Sequence, residues 1–337
     1  MLKLDVLIFD IDGVLIDVSE SYRRAIRQAA QIYLEQVIGL APYAGELVSR
    51  ADVAALKLAG GFNNDWDLTT ALVEYFLALL DAPLPPPAVT AEGWGEGLRA
   101  AGKPITASVE TLRQRKDIPA FAARLRAQGG GLAAVRQILG DRNAPLLSAD
   151  LVKRIFEEIY LGEELFRAEY GEPPRIHHEG LIRRERLIPN LQTLVTLSRR
   201  VALGIATGRP RAQATYALER AGIAAFFRAL VTHEDIVAAE QQHFAATGTR
   251  VHLGKPHPYS LIQAAQQLTP KRARGAYVGD TLDDVRAANA AKAEMDLMAV
   301  ACLTPAEDKA AMRREFERVG ADVIVEHPDE LKDLIGS

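Results

Sequence analysis

A single cysteine, Cys302, stands in the whole chain. Neither an intrachain disulfide framework nor a cysteine-based metal cluster can be built from it, and a reducing compartment is expected. No apolar run approaches the ~18 to 20 residues that a membrane-crossing helix needs. Met1 to Phe9 carries neither a long apolar stretch nor a small-residue cleavage site, so the chain is expected to be neither exported nor membrane-spanning, and cytoplasmic. An excess of positive charge is missing too. The 40 Lys and Arg face 44 Asp and Glu, too few cations to neutralise a nucleic acid backbone or an anionic membrane, so neither is expected as a partner. No internal repeat is present.

What is there has ordinary globular character, with 48% hydrophobic and 25% charged residues in 337 positions. That length favours about two domains, each with its own core. Leu4 to Phe9 is short, apolar and followed by acids and glycine, which predicts a strand buried on both faces. Comparable runs recur at Val201 to Ala206, Ala229 to Thr232, Gly275 to Val278, Met298 to Cys302 and Asp322 to Val325. They alternate with stretches of helical period, the pattern of a Rossmann-like, doubly wound parallel α/β sheet. Pro210 and Gly222 stand where one of the intervening helices should open and close. Between residues 18 and 186 the strand signals disappear, and Ala, Leu, Arg and Glu recur at helical spacing. The expected organisation is therefore a core from residues 1–17 and 187–337 with a mainly α-helical insertion, 18–186. Within the insertion, Ala82 to Pro104 carries Pro85-Pro86-Pro87 and several glycines and reads as a long loop.

Four segments carry chemistry. The first, Phe9-Asp10-Ile11-Asp12-Gly13-Val14-Leu15-Ile16-Asp17, puts two carboxylates two residues apart at a strand end, where they can point the same way, with Gly13 to turn the chain. The second, Gly204-Ile205-Ala206-Thr207-Gly208-Arg209-Pro210, is a strand running into a helix start. A hydroxyl and backbone N–H groups there can bind phosphate oxygens, although a Thr207 taken in isolation reads by default as a helix cap. The third, Gly254-Lys255-Pro256-His257-Pro258, holds a lysine among conformationally restricted prolines; His257 reads as a solvent or packing residue. The fourth, Val278-Gly279-Asp280-Thr281-Leu282-Asp283-Asp284-Val285, gathers acids at a further strand end.

Together, and in this order, these segments resemble the four motifs of the haloacid dehalogenase superfamily: D-x-D-G, a hydrophobic strand ending in Thr, G-K-P-x-P and G-D-x-x-x-D. The placement of the insertion after the first motif resembles subfamily I, in which the inserted domain is a cap over the core. The resemblance implies a phosphatase with Asp10 as nucleophile, Asp12 as acid and base, Thr207 and Lys255 on the phosphate, and Gly208 and Arg209 as further substrate contacts. It implies Mg²⁺ bound by Asp10, the backbone carbonyl of Asp12 and Asp280, with Asp284 in support. Asp283 can instead be a helix N-terminal acid without a catalytic part. An acid at Asp12 also argues against dehalogenases and phosphonatases, relatives that generally lack one there. A phosphomutase similar to β-phosphoglucomutase is the alternative, but such mutases typically carry His where this chain has Tyr22. A non-catalytic binding protein of the same fold is a further alternative, disfavoured because none of the motif residues has been lost.

The motifs account for a phosphate and its metal, so the expected partner is a small phosphorylated metabolite whose remaining atoms are chosen elsewhere. Lys57-Leu58-Ala59-Gly60-Gly61-Phe62-Asn63-Asn64-Asp65-Trp66 interrupts the helical pattern and concentrates polar groups and an indole. Asn63, Asn64, Asp65 and Trp66 can bind a polyol or sugar. The competing reading is a helix–helix turn in which an Asn or Asp caps the next helix and Trp66 packs inward.

Overall fold

The structure is a computed structural model describing residues 3–62, 64–80, 108–140, 146–269 and 274–335. The chain forms two compact units, one of Met1–Val18 with Glu185–Ser337 and one of Ser19–Arg184. The expected loop at residues 82–104 lies outside the described residues. Among those described, no helix is long and apolar enough to cross a membrane.

The first unit holds the doubly wound sheet. Its described residues form the strands β1 (Val6–Phe9), β2 (Ile16–Asp17), β3 (Arg186–Leu187), β4 (Ala202–Ala206), β5 (Phe227–Val231), β6 (Arg274–Gly279), β7 (Asp296–Cys302) and β8 (Val323–Val325). Six of them pair in the order β5-β4-β1-β6-β7-β8, every pairing parallel. Each run expected to be a strand is one. Val6, Leu7, Ile8 and Phe9 are at most 1% exposed, which follows from a continuous apolar run with helices on both faces. Leu261 and Ala264, from the helix Tyr259–Leu268 packed on β4 and β5, share one core cluster with Ala287 and Ala288 beside β6 and β7 and with Phe316. Small residues on Leu282–Ala291 let that helix lie close against the sheet. Pro210 immediately precedes helix Arg211–Arg220, and Gly222 follows it with φ +69°.

The strand order reverses at β1, with β4 on one side and β6 on the other. In open α/β sheets ligands bind beyond the carboxyl ends of the strands at such a switch point. The sequence reading missed the ribbon β2–β3, in which Ile16 pairs Leu187 and Asp17 pairs Arg186, antiparallel. Two-residue strands are too short for any periodicity to reveal. The ribbon joins the places where the chain leaves this unit and returns to it.

The second unit is helical, and no strand occurs among its described residues. Several of its helices start on side-chain caps written into the sequence. Ser49 and Asp52 form a capping box at Arg50–Ala59, while Ser108, Asp117 and Ser148 each accept from a backbone N–H at the start of a later helix. Tyr22 stacks on Tyr160 at 4.1 Å between ring centroids and on Phe156 at 5.7 Å, which makes it a buried packing residue. Buried charges here serve local structure. The Glu158 carboxylate accepts from Arg154 at 2.8 Å and from the backbone N–H groups of Arg175 and Ile176 at 2.9 Å each.

Candidate active site

Strand β1 continues its sheet bonding into Asp10, whose N–H donates to the Val278 carbonyl at 2.9 Å. The chain then turns back: Leu15 and Ile16 N–H groups both donate to the Ile11 carbonyl. Gly13 has φ +72°, and a Cβ at that position would lie 2.3 Å from Oδ2 of Asp280. Glycine is required both for the turn and for the approach of Asp280. Gly279 meets the same demand on the other side, since a Cβ there would fall 2.2 Å from Cβ of Asp284.

Around this turn the structure brings together Asp10, Lys255, Asp280 and Asp284. Lys255 Nζ donates to Asp10 Oδ2 at 2.7 Å, to Asp284 Oδ1 at 2.7 Å and to the Tyr277 hydroxyl oxygen at 3.0 Å. Three acceptors match the three N–H groups of an ammonium and fix its direction. Burial alone would push the Lys255 ammonium down, but Asp10 and Asp284 hold it well above the usual lysine value. The two carboxylates are not equivalent. Asp284 also accepts from the N–H groups of Asp280 and Thr281 and from the Thr281 hydroxyl at 2.6 Å. Burial pushes its carboxyl up, yet Lys255 and these hydrogen bonds bring it below the usual range. Asp10 accepts instead from Lys255 and from the N–H of Ile11 at 2.8 Å. Burial raises it to about 6, Lys255 pulls it down, and Asp284 and Asp12 push it up. One buried carboxylate is thus saturated with donors, and its neighbour keeps capacity for a further partner.

Single carboxylate oxygens of Asp10, Asp280 and Asp284 lie within 4.8 Å of one another. An all-oxygen set of this kind suits a hard divalent cation. The Asp12 side chain is not in that set; its Oδ1 accepts from Nε of Arg209 at 2.6 Å. Asp283 pairs with Arg286 in the first turn of its helix. His257 is exposed, and its Nδ1 lies 3.2 Å from the Tyr259 N–H, closing a local turn.

Thr207 follows β4, and its N–H donates to the Val231 carbonyl at 3.0 Å. Its Oγ1 accepts from the Arg209 N–H at 3.2 Å across Gly208, so the hydroxyl shapes the bend rather than capping helix Arg211–Arg220. Arg209, expected on substrate, is buried with its side chain 1% exposed. Its guanidinium is taken up by two protein carboxylates: Nε and Nη2 hold Asp12 Oδ1 at 2.6 and 2.5 Å, and Nη1 and Nη2 hold Glu185 at 3.1 and 3.0 Å.

Three of the polar residues singled out in the insertion belong to the helical unit and serve local structure there. Asn64 Oδ1 accepts from the Asp67 N–H at 2.8 Å and caps helix Asp65–Ala78. Asp65 pairs with Lys57 at 3.0 Å. Trp66 is buried, edge-on to Phe156 and under the Lys153 ammonium. Asn63 lies outside the described residues.

Sequence reasoning missed Tyr277 and Glu185. Tyr277 sits inside β6 and reads as strand filler, although a hydroxyl three residues before Asp280 was a usable signal. Glu185 stands among Arg183, Arg184 and Arg186, where an acid looks like surface charge.

Residues 4–292 match the family described as haloacid dehalogenase-like hydrolase. An imidazoleglycerol-phosphate dehydratase of Phytophthora nicotianae is 27% identical over 340 residues, which is 98% of this chain and 52% of that protein. The chain therefore spans about half the length of the curated relative it matches. Among solved structures, phosphatase Tt82 from Thermococcus thioreducens shares 24% identity with a TM-score of 0.54, over 93% of this chain and 99% of that one. A structural-genomics target shares 20% identity with a TM-score of 0.62, over 98% of both chains. At these identities the structural likeness concerns the fold.

Proposed function

The chain belongs to the haloacid dehalogenase-like hydrolases, and from that premise we propose that it hydrolyses a small phosphomonoester through an aspartyl-phosphate intermediate on Asp10. The observation that carries this reading is the Asp10 carboxylate itself. It stands at the switch point of the sheet, one oxygen on the Lys255 ammonium, beside an acidic cluster able to hold a divalent cation.

In the first half-reaction an Asp10 oxygen attacks phosphorus in line with the ester oxygen. The P–O bond to the leaving group breaks as Asp12 delivers a proton to that oxygen. In the second, water attacks the aspartyl phosphate, Asp12 takes the proton, and inorganic phosphate leaves with the Asp10 carboxylate restored. Lys255 offsets the charge gathered by phosphate and carboxylates. The Thr207 hydroxyl and the backbone N–H groups of the bend at Gly208 supply contacts to the phosphate oxygens. Asp10, the Asp12 carbonyl and Asp280 would hold Mg²⁺, with Asp284 in support. A bound Mg²⁺ adds positive charge to the phosphate oxygens and aligns them.

Choice of the leaving group is assigned to the helical unit, Ser19–Arg184, as a cap. The name of the Phytophthora relative gives a substrate that is itself a phosphomonoester bearing an imidazole. A phosphate-release screen with Mg²⁺ over sugar phosphates, phosphoglycolate, nucleotides, amino-alcohol phosphates and an imidazole-bearing phosphomonoester tests the reading. Release from none of them would overturn it. Accumulation of an isomeric sugar phosphate without inorganic phosphate would favour a mutase instead.

A further inference from the structure

The Asp12 side chain is 30% exposed. On a tight turn at a strand end, an acid that open has several rotamers available, yet proton transfer to a leaving oxygen requires one direction. Arg209 removes the freedom by placing Nε and Nη2 on a single oxygen, Oδ1, at 2.6 and 2.5 Å. Arginine is itself long and rotamer-rich, so it can orient a partner only if it is held in turn. Glu185, with its side chain 3% exposed, holds it by the two-pronged contact to Nη1 and Nη2, the geometry in which guanidinium and carboxylate lock each other's planes.

The backbone closes the circuit. Glu185 immediately precedes β3, and β3 pairs with β2, the two-residue strand that follows the Asp12 turn. Asp12, its turn, β2, β3, Glu185 and Arg209 therefore form one ring of covalent and hydrogen-bonded links within the α/β unit. For Arg209 to reach a substrate it would have to leave a buried Glu185 carboxylate behind, a costly exchange.

We propose that Arg209 and Glu185 are positioning residues: Glu185 fixes the guanidinium, and the guanidinium fixes the direction of the Asp12 carboxylate. This rests on Asp12 being the group that moves the proton.

The test compares the full-length wild type with Glu185→Gln, Arg209→Met and the double variant, using glycerol 3-phosphate as a poor-leaving-group substrate and 4-nitrophenyl phosphate as a good one. Because kcat/KM reports the steps up to loss of the leaving group, misdirection of Asp12 should lower it by about 10²-fold on the alkyl ester. A smaller loss is expected on the aryl ester, with no rise in KM. The double variant leaves no unpaired charge at this pair, so it should keep the steepened leaving-group dependence of Arg209→Met. Return of the double variant to wild-type dependence would overturn the proposal, because the loss would then come from an unpaired Glu185 rather than from lost direction. A rise in KM confined to substrates with anionic tails would overturn it in favour of substrate binding by Arg209. Equal loss on both esters with a lowered Tm would overturn it in favour of a purely structural pair. If the wild type releases phosphate from neither ester nor any of the screened compounds, the phosphatase reading fails. A crystal structure of Arg209→Met then decides the positioning separately: Asp12 displaced supports it, and Asp12 unmoved overturns it.

Discussion

Buried charge is used in opposite ways in the two units. In the helical unit Arg27, Asp52, Glu157 and Glu158 are buried, and the contacts of Asp52 and Glu158 go to nearby caps, loops and single partners. Asp52, for example, closes a capping box with Ser49 and meets Lys116 at 2.5 Å. In the α/β unit Asp10, Thr207, Arg209 and Asp284 are buried, and their backbones come from the carboxyl ends of β1 and β4 and from the helix that follows β6. Dispersed buried charges stabilise loops. Convergent ones bring several carboxylates and a cation to one place, and here Asp10 and Asp284 share the Lys255 ammonium. The difference marks a site more reliably than burial of charge alone.

The sharpest way to break this contrast is Asp10→Asn. An amide cannot attack phosphorus, so phosphate release is expected to fall below detection; measurable residual turnover would remove Asp10 as nucleophile. The same variant carries a stability signature with a definite sign. Burial raises the folded-state value of Asp10 from 3.8 to about 6. Its favourable contribution is therefore fully present below pH ~4 and lost as pH rises through about 6. Metal-free Asp10→Asn should be more stable than wild type at pH 7.5, with the gap closing near pH 4. Denaturant titrations at the two pH values decide it, and a less stable variant at pH 7.5 would show that Lys255 outweighs burial.

Asp12→Asn comes next, with a loss of roughly 10² to 10⁴-fold for proton transfer in both half-reactions. Rapid-quench measurement of the phosphoenzyme separates the two steps, and an unaltered rate of dephosphorylation would confine Asp12 to the first. Metal dependence follows. Exhaustive chelation should silence the enzyme, and Mg²⁺ restored at about 100 times its Kd should stabilise wild type by roughly 2.7 kcal/mol. Asp280→Asn should lose that Tm shift, and retention of the shift would place the metal elsewhere. The smallest effect tests the helical unit. Asn64→Ala should cost about 1 kcal/mol as a lost helix cap. A raised KM for the physiological substrate at unchanged Tm would break the contrast and give Asn64 a recognition role.

The strands were legible because a parallel sheet covered on both faces demands uninterrupted apolar runs, as at Val6–Phe9 and residues 297–302. The clustering of Asp10, Lys255, Asp280 and Asp284 was legible because each stands in a short motif tied to a strand end or a helix start. Asn64 was ambiguous, since an amide before a helix has the same local appearance whether it caps the helix or binds a ligand.

The sequence by itself determined the α/β class, the places of the strands and the motif residues that meet at the end of the sheet, because periodicity and motif spacing are local properties. Only the tertiary structure decided what those residues face. It joined Arg209 to Asp12 across 197 positions and to Glu185 across 24, and it put the Tyr277 hydroxyl on Lys255. It also made Asp284 the saturated carboxylate and Asp10 the one with capacity to spare. Which carboxylate is satisfied depends on donors brought from other strands and helices, and no local pattern encodes how many of them arrive.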